Sequence, residues 1–324
     1  MKSSRLPAGL HLRRAITVVV WLGLASLCAG TDDHPAVADH PQIPTSHASN
    51  PVQTPWTQKT RPPRGRAAPA RARRERSQLA VRSKIALVED ARTSEILLEK
   101  KASEVVPIAS ITKLMTAMVV LDAGLPLEER LTITDADRDL VKGTHSRLRV
   151  GWSLTREEML HLALMASENR AASALSRNYP GGRPAFIAAM NAKAARLGMH
   201  STHFTSPNGL TPENVSTAHD LVKLVQAAYQ YPLIRRFSTD PYCFVRIGRR
   251  TLQFVNSNRL VGRPDWDIEL QKTGFINESG DCMVMRANVD GRPLIMVFLD
   301  ASGKLTRFAD ARRVRMQLSL ARAK

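Results

Sequence analysis

A chain of 324 residues with 43% hydrophobic and 23% charged residues has the length and composition of a globular protein with one large core or two small ones, which excludes a wholly disordered chain. Its formal net charge of +18 at pH 7 suggests an anionic partner, and the location of the charge decides how much weight this has. Much of the charge lies at residues 59–76, where eight cationic side chains accompany one acidic residue, Glu75. No nucleic-acid-binding motif accompanies this run, so we expect no specific nucleic-acid partner.

Residues 1–30 have the pattern of a secretory signal peptide. Three arginines precede residue 15, residues 15–27 are almost wholly apolar, and the small residues Ala29 and Gly30 follow. The apolar run is shorter than the roughly 20 residues that a membrane-spanning helix needs. We therefore predict export with cleavage after Ala29 or Gly30, and an uncleaved anchor is the alternative.

Residues 31–78 are rich in Pro, Ala, Ser, Thr, His and Arg and show neither a helical nor an alternating apolar period. This composition is typical of a disordered linker. Its basic part, residues 59–76, has two interpretations: a solvated segment without a partner, or a tether that binds an anionic wall or membrane surface. The folded domain is then predicted to occupy residues 79–324.

The folded domain starts with the pattern of a β-hairpin, since the apolar runs 85–88 and 96–98 flank a polar turn. Apolar side chains on every side of residues 111–121 predict a buried helix. Strands at both ends of the domain and helices in its middle predict a sheet built from sequence-distant strands, with the buried helix against it. The remaining patterns predict helices at 156–165, 170–178, 185–197, 218–230 and 304–321 and strands at 251–255, 269–273, 283–288 and 294–299.

The first of three motifs that carry chemistry is Ser110-Ile111-Thr112-Lys113, at the start of the predicted buried helix. Residues i and i+3 share a helix face, so Lys113 can lie beside Ser110. A serine hydroxyl is a poor nucleophile until a base removes its proton, and burial lowers the pKa of a lysine towards the range in which it is neutral and basic. The alternative is a helix N-cap with a solvated lysine, and the apolar neighbours of Lys113 argue against it.

The second motif is Ser167-Glu168-Asn169, one of three Ser-x-Asn sequences in the chain. Those at 176–178 and 206–208 fit a helix and a Pro-Gly turn, whereas Ser167 stands between an apolar run and a new helix, where both polar side chains can point into a cleft. Ser167 would relay a proton to a leaving amine, and Asn169 would bind the lysine or a substrate amide. A helix break capped by Ser167 is the alternative.

The third motif, Lys272-Thr273-Gly274, comes late in a predicted strand and precedes Phe275. Lys272 offers a charge and Thr273 a hydroxyl for a substrate carboxylate, while the missing Cβ of Gly274 lets a substrate backbone come close. The backbone N–H groups of Ser110 and Phe275 would form an oxyanion hole, in which each donor typically contributes about 3 kcal/mol in the transition state. A plain strand end is the alternative.

Together these motifs resemble the serine D,D-peptidases, the low-molecular-mass penicillin-binding proteins. The resemblance covers residues 79–320 and is carried, besides the motifs, by segments 107–118, 164–172, 204–210, 264–266 and 272–278. The last two segments are similar to the D-alanyl-D-alanine endopeptidase (penicillin-binding protein 7) type. The resemblance implies a β-lactamase/transpeptidase-like α/β (α+β) fold, with an antiparallel sheet flanked by helices and a mostly helical insertion.

By resemblance, Ser110 attacks the carbonyl of D-alanine in a peptidoglycan stem peptide, and water releases the acyl-enzyme. The endopeptidase cleaves the bond between D-alanine and a neighbouring diaminopimelate and so opens crosslinks, whereas the carboxypeptidase removes a terminal D-alanine. The resemblance also implies periplasmic localisation, acylation of Ser110 by β-lactam antibiotics, and no metal or organic cofactor. Typical carboxypeptidases carry a second domain and an anchor after the catalytic domain; the sequence shows neither, so we expect the endopeptidase.

Three alternatives stay open: a D-alanyl-D-alanine carboxypeptidase, a class A-like β-lactamase and a non-catalytic wall-binding protein. For the β-lactamase, Glu213 is the one candidate for the carboxylate that activates the deacylating water, and its sequence context fits that role poorly. After signal removal, Cys243 and Cys282 permit one disulfide that the sequence does not decide, and their spacing does not fit a metal site. The glycosylation-acceptor patterns at Asn214 and Asn277 are interpreted as chance.

Overall fold

A computed structural model describes residues 80–322 of the chain. The predicted signal peptide, residues 1–30, and the predicted linker, residues 31–78, lie outside the described residues, as does the basic stretch 59–76. The predicted domain, residues 79–324, is described except for its first residue and its last two. None of the helices within residues 80–322 combines the length with the apolar character that crossing a bilayer requires.

The described elements follow the predicted order, with strands at both ends and helices between them. The strands are β1 Ile85–Asp90, β2 Ile96–Lys100, β3 Val106–Pro107, β4 Arg130–Thr132, β5 Ser153–Thr155, β6 Val215–Ser216, β7 Tyr242–Ile247, β8 Arg250–Val255, β9 Asp267–Ile276, β10 Gly280–Val289 and β11 Arg292–Ala301. The helices are α1 Lys113–Asp122, α2 Arg156–Met165, α3 Asn169–Arg177, α4 Gly182–Arg196, α5 Ala218–Tyr229, α6 Pro232–Thr239 and α7 Thr306–Arg322, with short 3-10 turns at Ala109–Thr112 and Asp135–Asp137.

Five strands form one antiparallel sheet in the order β2-β1-β11-β10-β9. The first strand of the domain therefore lies beside the last, with Leu87 opposite Val297. Strand β9 forms one edge of the sheet and, among the described strands, pairs with β10 alone, which places Gly274 opposite Cys282. The third motif thus lies on the edge strand of the sheet.

The two faces of this sheet pack into separate cores, because successive strand residues point to opposite faces. In β1, Ile85 and Leu87 pack into the larger core with residues of α1 to α6, whereas Ala86 and Val88 pack into the smaller core with residues of α7. All residues of α1 from 113 to 120 are buried. Each fully buried Leu, Met or Val in such a helix contributes about 1.5–3 kcal/mol, so α1 is a firmly held element on which to build a site.

The fold predicted from sequence is confirmed. The hairpin, the buried helix and each further predicted helix and strand are present, with ends that differ by at most three residues. Helix α6, strand β7 and the two- or three-residue strands β3, β4, β5 and β6 were not predicted. Helix α6 is eight residues long and buries only Ile234, Phe237 and Ser238, and β7 buries only Val245. Short elements with so few buried residues leave too weak a periodicity to be recognised.

Candidate active site

The three motifs meet where the helical part of the domain contacts the edge strand β9. One side, here called the helical wall, consists of the turn 108–113 and residues 167–169. The other side, the sheet wall, consists of residues 272–275 of β9 together with Ser257. Two lysines hold the motifs together: Lys113 Nζ of the first motif lies 2.7 Å from Asn169 Oδ1 of the second, and Lys272 Nζ of the third lies 2.7 Å from Ser167 Oγ of the second.

The turn that carries Ser110 is held in place from two sides. Ala109 has a positive φ of 47°, which is uncommon for a residue with a side chain. Thr112 Oγ1 donates to Ala109 O at 2.7 Å and accepts from Asn214 Nδ2 at 3.0 Å. Gly209 packs so closely that a Cβ there would lie 1.9 Å from Ala109 O. The surrounding structure therefore maintains a strained turn, as is typical of a functional site.

Lys113 is fully buried beside Ser110. Its Nζ lies 2.7 Å from Ser110 Oγ, 2.7 Å from Asn169 Oδ1 and 2.8 Å from Asn208 O. Burial lowers the pKa of this amine from 10.5 to about 7, while the charge of Glu168 acts in the opposite direction. A large fraction of the amine is therefore neutral at neutral pH, and the neutral amine can accept the hydroxyl proton.

Ser167 and Asn169 lie where the chain passes from α2 into α3, as the sequence predicted. Ser167 has a positive φ of 60°, and its Oγ accepts a hydrogen bond from Lys272 Nζ at 2.7 Å. Asn169 Oδ1 accepts from Lys113 Nζ, and its Nδ2 donates to Thr144 Oγ1 at 3.1 Å. Because the amide uses its acceptor and its donor on different partners, its orientation is fixed.

Lys272 is fully buried on the sheet wall. Its Nζ donates to Ser167 Oγ at 2.7 Å and to Thr273 O at 2.9 Å. Burial, and after it the charges of Lys113 and Arg307, hold the pKa of this amine well below its usual value of 10.5. A bound anion would offset the cost of a positive charge at this position.

Gly274 brings the two walls into contact. A Cβ at this position would lie 3.0 Å from Ala109 Cβ, Ile108 O and Ser110 N. The missing Cβ was predicted to let a substrate backbone come close, but in the structure the turn that carries Ser110 takes up that space. Gly274 therefore sets the distance between the walls, because any side chain would push β9 away from the turn.

Thr273 and Phe275 project to the same face of β9, since strand residues two apart share a face. The Thr273 hydroxyl donates to Ser257 Oγ at 2.7 Å, and the Phe275 side chain is 53% exposed. The contact at Gly274 also brings together the main chains that carry the two predicted oxyanion-hole donors, the N–H groups of Ser110 and Phe275. The structure thus gathers every predicted site residue at one place: Ser110, Lys113, Ser167, Asn169, Lys272, Thr273, Gly274 and Phe275.

Segment 205–214 contributes groups that sequence reasoning did not predict. Asn208 O lies 2.8 Å from Lys113 Nζ and 3.4 Å from Ser110 Oγ. The fully buried Asn214 accepts at Oδ1 from the main-chain N–H groups of residues 205 and 206. A main-chain acceptor has no side-chain signature, so the one available signal was the turn formed by Pro, Asn and Gly at 207–209.

Glu168 is the carboxylate whose charge acts on Lys113. Its side chain is 8% exposed, accepts from Ser146 Oγ and raises the pKa of Lys113. Glu213, the candidate for a β-lactamase carboxylate, is exposed, and within residues 80–322 its one hydrogen bond runs from its own N–H to Thr211 Oγ1. The Ser-x-Asn pattern leaves its middle position undefined, so it gave Glu168 no role.

Cys243 and Cys282 are free thiols. Burial raises the pKa of each to about 11, so both stay protonated and unreactive at neutral pH. In the part of the chain that the structure describes, no group of three or more His, Cys, Asp or Glu side chains is arranged to hold a metal ion.

The chemistry available at this site is nucleophilic acyl transfer. It needs a hydroxyl within hydrogen-bonding distance of a base, and Ser110 with the partly neutral Lys113 provides both. A second hydroxyl, on Ser167, links the helical wall to Lys272. A hydroxyl beside a buried amine therefore occurs twice at one place.

Comparison with known proteins agrees with this arrangement. Residues 72–303 match the sequence profile of the peptidase S11 family, described as D-alanyl-D-alanine carboxypeptidase. The chain is 52% identical over 235 residues to a D-alanyl-D-alanine endopeptidase of Pseudomonas aeruginosa, covering 72% of this chain and 76% of that protein. It is 49% identical over 241 residues to a D-alanyl-D-alanine endopeptidase of Escherichia coli, covering 74% of this chain and 78% of that protein.

Two solved structures confirm the predicted transpeptidase-like fold. The Streptomyces K15 DD-transpeptidase is similar with a TM-score of 0.68 and 27% identity, covering 76% of this chain and 98% of that chain. Penicillin-binding protein D2 from Listeria monocytogenes, in its cefotaxime-bound form, is similar with a TM-score of 0.66 and 28% identity, covering 74% of this chain and 98% of that chain. With a profile match over residues 72–303 and identities of 52% and 49% to two relatives, the chain belongs to the peptidase S11 family of D-alanyl-D-alanine carboxypeptidases.

Proposed function

We propose that this protein is a serine D,D-endopeptidase that cleaves the D-alanyl bonds of peptidoglycan crosslinks through an acyl-enzyme on Ser110. The observation that carries the proposal is the 2.7 Å distance between Ser110 Oγ and the fully buried Nζ of Lys113, whose pKa is about 7. The relatives at 52% and 49% identity are named D-alanyl-D-alanine endopeptidases, which favours crosslink cleavage over removal of a terminal D-alanine.

Acylation begins when neutral Lys113 takes the proton of Ser110 Oγ and the oxygen attacks the D-alanine carbonyl carbon. The negative charge that develops on the carbonyl oxygen is stabilised by the N–H groups of Ser110 and Phe275, each contributing about 3 kcal/mol. The C–N bond of the crosslink then breaks. The proton held by Lys113 reaches the leaving amine of the neighbouring stem peptide through the Ser167 hydroxyl.

Deacylation uses the same groups, with water as the nucleophile and Ser110 as the leaving group. A water molecule attacks the ester carbonyl and Lys113 accepts its proton. The C–Oγ bond of the ester then breaks, and Lys113 returns the proton to Ser110 Oγ, which is released as a hydroxyl. Asn169 and the main-chain oxygen of Asn208 keep the Lys113 amine within 2.8 Å while it changes its protonation state. The proposed reaction is complete with these side chains, water and the substrate, and it calls for no metal or organic cofactor.

Lys272 and Thr273 bind the carboxylate next to the scissile bond. A carboxylate here offsets the cost of a charged Lys272, whose pKa is lowered by burial and by neighbouring cations. The same arrangement accounts for a proposed reaction with β-lactams, which carry a carboxylate beside their reactive amide. The Listeria relative is a penicillin-binding protein in a cefotaxime-bound form, and we propose that β-lactams acylate Ser110 of this chain.

The proposed substrate is a wall polymer, so we place the enzyme in the periplasm, exported by a signal peptide at residues 1–30. The basic stretch 59–76 would keep it against an anionic wall or membrane surface. Deleting residues 31–78 should then weaken binding to isolated wall sacculi at low salt, because the deletion removes the attraction between unlike charges. Undiminished sacculus binding by the deletion variant would contradict this tether.

A purified crosslinked muropeptide dimer tests the proposed function. The enzyme should convert the dimer into monomers, and chromatography with mass spectrometry identifies the products. Ser110→Ala should lower the rate by several orders of magnitude, on the order of 10⁴-fold or more, as for other serine nucleophiles. Ser302→Ala, a change of an exposed serine outside the site, is the matched control.

Other products would assign other functions. Loss of only a terminal D-alanine would indicate a carboxypeptidase, the activity for which the family is named. Fast repeated hydrolysis of penicillin would indicate a β-lactamase, whereas a stable penicillin adduct supports a peptidase. No turnover of any of these substrates, with intact binding to sacculi, would indicate a non-catalytic wall-binding protein.

A further inference from the structure

A cavity of about 240 Å³ lies beside the sheet wall. Two of the residues that line it belong to the site already described: Ser257 accepts the hydrogen bond of the Thr273 hydroxyl, and Phe275 follows the third motif in β9. The cavity, here called the basic pocket, therefore adjoins the proposed carboxylate site. It is lined chiefly by Ser257, Arg259, Phe275, Asp281, Lys304 and Arg307.

The basic pocket carries a net positive charge and a buried donor without a partner. Its three cationic side chains and the single carboxylate of Asp281 leave a net charge of +2. Arg307 is only 8% exposed and pairs with Asp281 through Nη1, but its Nε is buried and has no hydrogen-bond partner within residues 80–322. Such a donor is costly to bury unless a ligand supplies an acceptor.

Arg259 and Lys304 stand at the exposed rim of the basic pocket. Among the described residues, neither is paired with a carboxylate. Asp281, the one acidic group of the pocket, lies directly opposite Phe275 in the β9–β10 register and is already engaged by Arg307. The two rim cations are therefore free to attract an anion into a concave surface, where their fields add.

We infer that the basic pocket binds a further carboxylate of the second stem peptide, the peptide that leaves when the crosslink is cleaved. This carboxylate is not the one beside the scissile bond, which Lys272 and Thr273 bind. This inference rests on the proposed function. If the carboxylate beside the scissile bond lies on Thr273, the leaving group continues past Ser257 into the basic pocket. In a crosslink the leaving amine belongs to a diaminopimelate that continues into a peptide with further carboxylates, whereas nothing follows a terminal D-alanine. The pocket thus favours crosslinked substrates over simple stem peptides.

The size of the basic pocket fits this occupant. Its volume of about 240 Å³ is below the roughly 300–1,000 Å³ of pockets that enclose drug-sized ligands, so it admits a residue-sized group. The half-exposed ring of Phe275 offers an apolar surface for the methylene groups of such a residue. The cationic rim then meets the carboxylate at its end.

The test compares the wild type with the double variant Arg259→Gln/Lys304→Gln. Both side chains are exposed, so the change leaves the core intact. The readout is kcat/KM for the crosslinked dimer divided by the rate of Ser110 acylation by fluorescent penicillin, which lacks a second stem peptide. We expect this ratio to fall about fivefold to tenfold, since each exposed charge pair contributes a factor of a few. Arg196→Gln/Arg312→Gln removes the same charge at exposed positions outside the pocket and should leave the ratio unchanged.

A binding measurement tests the basic pocket without turnover. In a Ser110→Ala background, the Kd for the intact dimer should rise by the same factor when Arg259 and Lys304 are replaced, and the difference should shrink as salt is raised. If the wild type does not cleave the dimer, the proposed function fails, and the Kd measurement still tests whether the basic pocket binds the dimer. An unchanged ratio with an unchanged Kd, or an equal loss in the Arg196/Arg312 control, would overturn the inference.

Discussion

The helical wall of the site and the basic pocket beside the sheet wall differ in how completely their polar groups are satisfied. On the helical wall, Lys113 Nζ has three oxygen neighbours within 2.8 Å, and Asn169 uses both ends of its amide. Beside the sheet wall, Phe275 is 53% exposed, and Arg307 keeps a buried Nε without a partner among the described residues. The hydrogen bonds of the helical wall are therefore complete before substrate arrives, whereas the basic pocket still has a donor for a ligand. This difference assigns chemistry to the helical wall and recognition to the sheet wall with its pocket.

The two buried lysines show the same difference in electrostatic terms. Burial lowers the pKa of both amines. For Lys113, the charge of Glu168 acts in the opposite direction and the pKa is about 7. For Lys272, the charges of Lys113 and Arg307 lower the pKa further. A base needs a pKa near the working pH, whereas a lysine that binds an anion gains its proton most readily when that anion arrives.

The largest effect that tests this division is expected from Lys113→Met. Removing the base should lower kcat for the crosslinked dimer about 1,000-fold, within the 10²–10⁴-fold that general base catalysis contributes. Lys272→Met should act mainly on KM, because it removes an anion-binding charge. Steady-state kinetics separates the two, with Lys84→Met, an exposed lysine, as the control. Thermal unfolding checks that each variant folds. An equal loss of kcat in both buried variants would show that the walls do not divide these tasks.

The contact between the walls is tested next by Gly274→Ala. The added Cβ would lie 3.0 Å from Ser110 N, so β9 and the nucleophile turn must separate by a few tenths of an ångström. We expect kcat to fall about 10- to 100-fold, since small misplacements of reacting groups cost up to about 10²-fold, with the melting temperature little changed.

Gly209→Ala provides the contrast to that variant. There the Cβ would lie 1.9 Å from Ala109 O and φ is 75°, so the variant should lose thermal stability as well as activity. A Gly274→Ala enzyme as active as the wild type would show that the separation of the walls is not critical.

Local rules explain which parts of the site were predictable. The pairing of Ser110 with Lys113 follows from i, i+3 spacing in a helix, and the burial of Lys113 follows from its apolar neighbours. The position of Ser167 follows from the change between two helical segments. Each of these inferences needs only a few consecutive residues, and the structure places all three side chains as expected.

Contacts between sequence-distant segments explain what was missed. Asn208 O reaches Lys113 across 95 positions, and Ser257 accepts from Thr273 across 16. Neither contact produces a periodic pattern, because it depends on how the loops pack and not on the local sequence. The role of Gly274 was misassigned for the same reason: the sequence shows that a Cβ is absent but not which neighbour needs the space.

The pH dependence of the reaction gives a smaller, graded test of the helical wall. Because Lys113 must be neutral to accept a proton and its pKa is about 7, kcat/KM should rise with pH through this value and fall about tenfold for each unit below it. Glu168→Gln removes the charge that raises the pKa of Lys113, so the acidic limb should move to lower pH. Dimer cleavage measured from pH 5 to 8 checks both. An unshifted limb in Glu168→Gln would mean that another group titrates.

The smallest expected effect belongs to Ser257→Ala on the sheet wall. The substitution removes the acceptor of the Thr273 hydroxyl, which lies 2.7 Å away, so the hydroxyl is no longer held in one orientation for the substrate carboxylate. A net hydrogen bond contributes about 0.5–1.5 kcal/mol, so KM for the dimer should rise about threefold while kcat changes little. Thr273→Val, which removes the hydroxyl itself, should raise KM at least as much, and combining the two should add nothing further because both act on one contact. Independent, additive effects would mean that Ser257 contacts the substrate directly, and the basic pocket would then begin at the carboxylate site.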